Sequence, residues 1–305
     1  MAQPVAATTG GARPVAVITG AARGIGRESA RQLQATHRVA LLDIDAAGAE
    51  RAAAQLGGDA VWAACDIAQA DSVEAAVADV VDRCGGIDVA IANAGIATAG
   101  AVRHLDPEAF VRQLDVNLVG SWRFIHACLP HVVARRGYVL GVSLASALVA
   151  PPGLGFYASS KAGFEHLLDV LRVEVAHLGV DVGVAFFSWI DTDMVRGGDA
   201  RHPAFAKLRA DLRGQAGRTL PVAEAGAVIA DAVAHRRRTV VAPRVVRLAY
   251  WLRGVIGPLL EREARRNGAM IDAATAQMVA ERGAFDAAMG PSTPGAGATA
   301  EPIER

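Results

Sequence analysis

A doubly wound parallel α/β sheet is the fold class this 305-residue sequence predicts, and three observations predict it. Short β-type runs alternate with apolar-periodic helical stretches along most of the chain. The first of them, Val15-Ala16-Val17-Ile18-Thr19, is apolar almost continuously, as expected for a strand buried on both faces. It passes directly into a glycine-rich turn, Gly20-Ala21-Ala22-Arg23-Gly24-Ile25-Gly26, and then into a helix.

Residues 1–12 are rich in Ala, Thr and Gly without periodicity and read as a disordered tail. After the first strand, the glycines permit a tight turn, let the backbone approach a pyrophosphate and let the helix at 27–35 pack on the strand. An ordinary glycine-rich turn is the alternative, and the position directly after the first strand favours dinucleotide binding. The second strand, 38–42, ends at Asp43. An acidic residue about 20 positions past the glycines can accept hydrogen bonds from adenosine ribose hydroxyls, and its charge repels a 2′-phosphate. Its alternative role is a helix N-cap, which Asp45 fits better before the helix at 46–56.

The third strand, 60–64, has Asp66 just past its end and is followed by a helix at 71–84. The fourth, 87–92, runs into Asn93-Ala94-Gly95. One long helix is expected over 110–134, containing Asn117 where Ala or Leu would be the better helix former. Spacing alone does not decide whether Asn117 faces solvent. The fifth strand, 138–143, ends in Ser143. A turn-prone run with Pro151, Pro152, Gly153 and Gly155 then precedes a helix reaching about 178. A sixth strand at 180–187 leads to an irregular polar stretch, 188–217, long enough to be a lid. A helix at 222–235 and a strand at 239–242 close the sheet.

Hydrophobic residues make up 52% of the chain and the formal net charge is +0, which excludes a disordered protein and a whole-protein nucleic-acid field. Cys65, Cys84 and Cys128 lie far apart, with no Cys-x-x-Cys and no grouped histidines. They read as core thiols of a reducing cytoplasm, and no metal site is expected. Neither a secretory signal nor an apolar run of the ~18 residues that a spanning helix needs is present.

The chemistry concentrates in Tyr157-Ala158-Ser159-Ser160-Lys161. Four residues apart on a helix puts the phenol and the ammonium on one face. A phenol titrates near ~10, and an adjacent positive charge lowers that value, which suits a proton shuttle.

Thr19-Gly20-x-x-x-Gly24-x-Gly26, Asn93-Ala94-Gly95, Asn117, Ser143 and Tyr157-x-x-x-Lys161 occur in that order. On these residues the chain resembles the short-chain dehydrogenases/reductases over 13–243. The resemblance implies a single Rossmann-fold domain and a homodimer or homotetramer built through the helices after Asn117 and Tyr157. It implies hydride transfer between a nicotinamide cofactor and a secondary alcohol or ketone, without a metal. Tyr157 is then the proton donor or acceptor, and Lys161 lowers its pKa and holds the nicotinamide ribose. Asn117 anchors a relay water, and Ser143 hydrogen-bonds the substrate oxygen. Thr19, Gly20, Arg23, Gly24, Ile25 and Gly26 shape the phosphate site, Asp66 and Ile67 meet adenine, and Asn93, Ala94 and Gly95 brace the fourth strand. Ile190 and Thr192 touch the carboxamide and phosphates.

Three departures from the family pattern stand out. The family serine lies thirteen positions before the tyrosine, where this chain has Leu144; Ser143 is the preferred candidate and Ser146 the alternative. The family Pro-Gly after the sixth strand is Ser188-Trp189 here, so Trp189 either lines the substrate pocket or packs beneath it. Arg23 beside Gly24 favours NADP, whereas Asp43 favours NAD; a carboxylate at the ribose edge outweighs one mobile arginine, so NAD is expected.

Residues 244–288 form an arginine-rich helical addition with Tyr250 and Trp251, ahead of a second disordered tail at 289–305. Two readings remain for it: peripheral membrane contact through 244–266, or packing over the cleft or a dimer partner. Trp189, Met194, Phe205, Trp251 and Leu252 suggest a hydrophobic, steroid-like or lipid alcohol or ketone. A non-catalytic NAD-binding sensor or scaffold is the rival reading, and the intact Tyr157, Lys161 and Asn117 weigh against it.

Overall fold

Seven runs rich in Val, Ile, Leu, Ala and Phe become strands: β1 (Val15–Thr19), β2 (Arg38–Asp43), β3 (Val61–Ala64), β4 (Val89–Ala92), β5 (Tyr138–Leu144), β6 (Asp181–Phe187) and β7 (Thr239–Ala242). They form one parallel sheet in the order β3-β2-β1-β4-β5-β6-β7. The computed structural model describes residues 13–145, 152–201, 218–243 and 245–289; Ser146 and Phe205 lie outside them.

Helices cover both faces, which is why the central strands carry apolar residues at consecutive positions. One face receives α3 (Ala70–Cys84), α5 (Ser121–Ala134) and α6 (Gly155–Val175), with Val80, Phe124, Ile125, Phe164 and Leu168 buried against the sheet. The other receives α1 (Gly24–Leu33), α2 (Ala46–Leu56) and α8 (Val222–Ala234), through Leu33, Ala52, Ile229 and Val233. Gly141 lets α6 come close: a Cβ there would stand 2.3 Å from Leu168 Cδ1. Asp45 caps α2, accepting from Gly48 N at 2.9 Å.

Three elements differ from the sequence expectation. The single helix expected over 110–134 is α4 (Pro107–Leu114), a π-helical turn (Asp115–Gly120) and α5. The expected irregular stretch contains α7 (Asp193–Arg201); Thr192 Oγ1 accepts from Val195 N at its start, and Arg196 bonds Asp193 at 2.7 Å. The addition continues as α9 (Val245–Arg282) and α10 (Ala284–Met289), one residue past the expected boundary.

The second half of that addition packs on the rest of the chain: Ile271, Thr275, Met278, Ala287 and Ala288 are buried. Nearer its start, Tyr250 lies 5.3 Å from Phe186, while Trp251 is 72% exposed. Among the described residues, no helix is long and apolar enough to cross a membrane.

Tyr138 illustrates how the sheet edge is fixed. Its ring is buried and its hydroxyl donates to Arg237 O at 2.7 Å, tying β5 to the turn before β7. Tyr138→Phe removes this part-buried bond and should cost about 1 kcal/mol, read as a lower urea midpoint at unchanged slope. An unchanged midpoint would show the bond to contribute nothing.

Candidate active site

Strand order reverses between β1 and β4, and a crevice opens beyond their carboxyl ends. Thr19 and Asn93 tie the crevice together. Thr19 Oγ1 accepts from Asn93 N and Ala94 N, both at 3.1 Å, and Asn93 Nδ2 donates to Thr19 O at 2.9 Å and Gly20 O at 3.2 Å. Gly20 has φ +66°, and a Cβ there would come within 2.9 Å of Ala94 Cα. At Gly26 a Cβ would stand 2.2 Å from Gly20 O, so only glycine lets α1 start this close to the turn.

The N-cap of α1, Arg23, makes no side-chain cap bond, which leaves the first-turn N–H groups facing the crevice. Asp43 Oδ2 accepts from Ala22 N at 2.9 Å and Oδ1 from Asp45 N at 3.0 Å, so its carboxylate is fixed beside the glycine turn. Arg23 is exposed and lies 3.5 Å from Asp193 Oδ2. Thr192 reaches over the turn, its Cγ2 3.6 Å from where a Gly24 Cβ would be, and Ile190 is buried in the core behind it. Asp66 Oδ1 accepts from Ala68 N at 2.9 Å, closing its own turn. Ile67 is buried in the core, and its carbonyl faces the π-helical turn, 2.6 Å from where a Gly120 Cβ would stand.

The second half of the site is built on that turn. Asn117 is fully buried. Its Oδ1 accepts from Ile96 N at 2.9 Å, and its Nδ2 donates to Ile96 O at 2.9 Å and to Ser160 Oγ at 3.1 Å. Both amide protons are used, so the side chain braces the segment after β4, which the expected water-anchoring role did not include. Gln113, four residues earlier, braces the same segment: its Oε1 accepts from Thr98 N at 2.9 Å and its Nε2 donates to Ile96 O at 2.6 Å. Gln113 and Ser160 were not singled out from sequence. The i,i+4 spacing of the two carboxamides was the signal that could have found Gln113.

Lys161 is buried and donates to Val142 O at 2.9 Å. Gly95 keeps the space beside it open; a Cβ there would stand 3.5 Å from Lys161 Nζ and 3.0 Å from Asn117 Oδ1. Alternation along β5 turns Gly141 and Ser143 to the α6 face and Leu144 to the other. Ser143 Oγ is buried there without a hydrogen-bond partner among the described residues.

The electrostatics differ from the simple expectation that Lys161 lowers the Tyr157 pKa. Burial pushes the phenol of the half-buried Tyr157 up to about 12. Burial likewise takes the Lys161 ammonium down to about 8. Each group is driven toward its neutral form by desolvation, and the ammonium is committed to the Val142 carbonyl.

A family model described as short chain dehydrogenase matches residues 14–202. The chain belongs to the short-chain dehydrogenase/reductase family. The cis-4-hydroxycyclohexanecarboxylate dehydrogenase of Sinomonas cyclohexanicum is 33% identical over 235 residues, 75% of this chain and 90% of that one. An uncharacterised oxidoreductase of Mycobacterium bovis is 34% identical over 148 residues, 48% of this chain. The chain spans 60% of the length of that relative and 48% of a Mycobacterium tuberculosis NAD-dependent oxidoreductase. A short-chain dehydrogenase/reductase from Burkholderia phymatum, solved in complex with NAD, superposes with a TM-score of 0.71 over 80% of this chain and 94% of its own, at 20% identity, and shares the fold.

The residues of this family member fit a dinucleotide. The glycine cradle is one that Cβ atoms would fill, the α1 N-cap makes no side-chain cap bond, and the buried Ser143 hydroxyl on the α6 face lacks a partner among the described residues. The buried lysine makes a pH signature. Its folded pKa, about 8, lies below the 10.5 ordinary for a lysine. Between these values the unfolded chain holds a proton that the folded chain has released, so stability rises with pH across that window. The penalty is fully present below about 8. The stability difference between wild type and Lys161→Met should therefore move in favour of wild type from pH 8 to pH 10.5 in urea titrations. A flat difference would mean that Lys161 is not desolvated.

Proposed function

We propose that this chain is an NAD-linked oxidoreductase acting on a secondary alcohol or ketone, with Tyr157 as the acid/base. The observation that carries the reading is the buried, unpartnered Ser143 hydroxyl on the face of β5 that α6 covers with Tyr157 and Lys161. Thr19, Gly20, Gly24, Ile25, Gly26, Asn93, Ala94, Thr192 and Ile190 form the cradle for the dinucleotide, Asp66 and Ile67 flank the adenine end, and Lys161 holds the nicotinamide ribose. When bound, the oxidised nicotinamide supplies a positive charge and the carbon that accepts a hydride.

Ser143 donates a hydrogen bond to the substrate oxygen. The neutral phenol carries the proton for that oxygen in ketone reduction; in alcohol oxidation the positive charge that the bound nicotinamide supplies would offset the effect of burial and let the phenolate take the proton. Asn117 and Gln113 hold the segment after β4 against the helix that presents Tyr157. This use of the side chains supports catalysis over the sensor reading, because a binding module needs neither a buried lysine nor a free serine hydroxyl.

Asp43, fixed by two backbone bonds at the ribose edge, supports NAD over NADP. Arg23 is shared with Asp193 and offers a 2′-phosphate only a partly compensated charge. A hydrophobic substrate is supported by the exposed apolar side chains of Val102 and Met194 and by the partly exposed Phe156 beside Tyr157. The named substrate of the Sinomonas relative, a ring secondary alcohol that also carries a carboxylate, supports the secondary-alcohol class rather than its apolarity. Exposed Val119, Val170 and Val173 support association through the helices around Asn117 and Tyr157. Burial of Ile271, Met278 and Ala288 supports packing for the second half of 244–288, and the Tyr250 ring beside Phe186 supports it near the start.

The test is a panel of cyclohexanol, 2-octanol, a 3-hydroxysteroid and glycerol, followed by reduced-nicotinamide absorbance with NAD and with NADP. Turnover is expected with NAD on an apolar member; turnover confined to glycerol would overturn the substrate class. Tyr157→Phe should abolish turnover while NADH still binds. Ser143→Ala should lower kcat about 100-fold without lowering the urea midpoint, since its hydroxyl has no partner to lose. Wild-type turnover in Ser143→Ala would transfer the role to another residue.

A further inference from the structure

We propose that Thr275, on the C-terminal helix α9, is a positioning residue for Tyr157, acting through the segment that follows β4; the inference rests on Tyr157 being the acid/base. Thr275 is 1% exposed. Its Oγ1 accepts from Ala101 N at 2.9 Å and donates to Ile271 O at 2.7 Å, so a single hydroxyl joins the helix to a residue 174 positions earlier. The fit is close: a Cβ at Gly100, whose φ is +140°, would stand 3.0 Å from Thr275 Cγ2. One turn earlier, Asp272 accepts from Arg103 Nε and Nη2, both at 2.5 Å, and lies 3.1 Å from His104 Nε2. That pair is partly exposed, so the buried hydroxyl is the stronger determinant.

The segment held by Thr275 is in turn held to the start of α6. Gly100 N donates to Gly153 O at 2.8 Å, and Gly100 bridges Leu154. A Cβ at Gly155 would stand 2.3 Å from Val102 Cγ1. Phe156 stacks on Phe110 with centroids 4.7 Å apart and packs, with Met289, on Leu105, Ala109 and Ala288.

These contacts matter because α6 has no cap of its own. Its N-cap is Leu154, which makes no side-chain cap bond, and Tyr157 sits in the first turn that follows. An uncapped first turn frays unless neighbours hold it. Here the neighbours are residues 100–105, and what holds them is the far end of the chain. A phenol displaced by an ångström loses alignment with the substrate oxygen, whereas the glycine cradle on the opposite side of the crevice is untouched.

The experiment compares Thr275→Val, which keeps the shape and removes the hydroxyl, with Thr275→Ser, which keeps the hydroxyl. Amide hydrogen exchange is followed at Gly100, Ala101 and Ala158, with residues 20–26 as internal reference. Steady-state kinetics use the panel alcohol that wild type oxidises fastest. Thr275→Val should exchange about tenfold faster at the three amides and lose about tenfold in kcat, with the Kd for NADH within about twofold of wild type. Thr275→Ser should restore both. Wild-type exchange and kcat in Thr275→Val would overturn the proposal. So would a loss that Thr275→Ser does not recover, or faster exchange at 20–26 to the same degree. Wild-type inactivity across the panel would instead sink the enzyme reading, and the exchange data would still decide whether Thr275 governs the start of α6.

Discussion

Where β1 and β4 diverge, their last residues leave backbone groups without ladder partners, and a buried crevice cannot tolerate them unpaired. Thr19 and Asn93 meet that demand with four hydrogen bonds, two to the Thr19 hydroxyl and two from the Asn93 amide. The turn they hold can then contain glycines at positive φ, and the helix after it can begin almost in contact with the turn. Asp43 adds the third side of the cradle by gripping Ala22 and Asp45. The backbone of the glycine turn is thus fixed from three sides by side-chain hydrogen bonds.

The opposite side of the crevice is organised by amides rather than by glycines. Gln113 and Asn117 reach from one helix into the segment after β4, and Asn117 also reaches Ser160 on α6. A regular α-helix through Asn117 is replaced by a π-helical turn, a local form common at functional sites. The same region contains the buried Lys161, whose charge is costly away from water unless a carbonyl such as Val142 O accepts from it. Preorganisation here is expensive in desolvation, which is why it occurs where chemistry can use it.

Strand and helix order, the crevice and its glycine turn were legible in the sequence because they follow from periodicity and from residues that act locally. Ser143 was legible only as a choice between it and Ser146; alternation along β5 turns Ser143 to the α6 face, and Ser146 lies outside the described residues. The π-helical turn was not legible, since it is imposed by bonds from Asn117 to Ile96, distant in sequence and set by tertiary packing. The helix α7 escaped because Gly197 and Gly198 lower its propensity, while its Thr192 cap and Asp193–Arg196 pair act at short range. The direction of the Tyr157 shift was misread because burial depends on what surrounds a phenol, and spacing from Lys161 says nothing of that.

The bond between Ala101 and Thr275 joins residues 174 positions apart, the largest separation among the hydrogen bonds described above. Synthesis delivers residues 13–100 well before α9, so the glycine turn can take shape while Thr275 is still unmade. The first turn of α6 gains the support of residues 100–105 in their held form only after α9 has emerged.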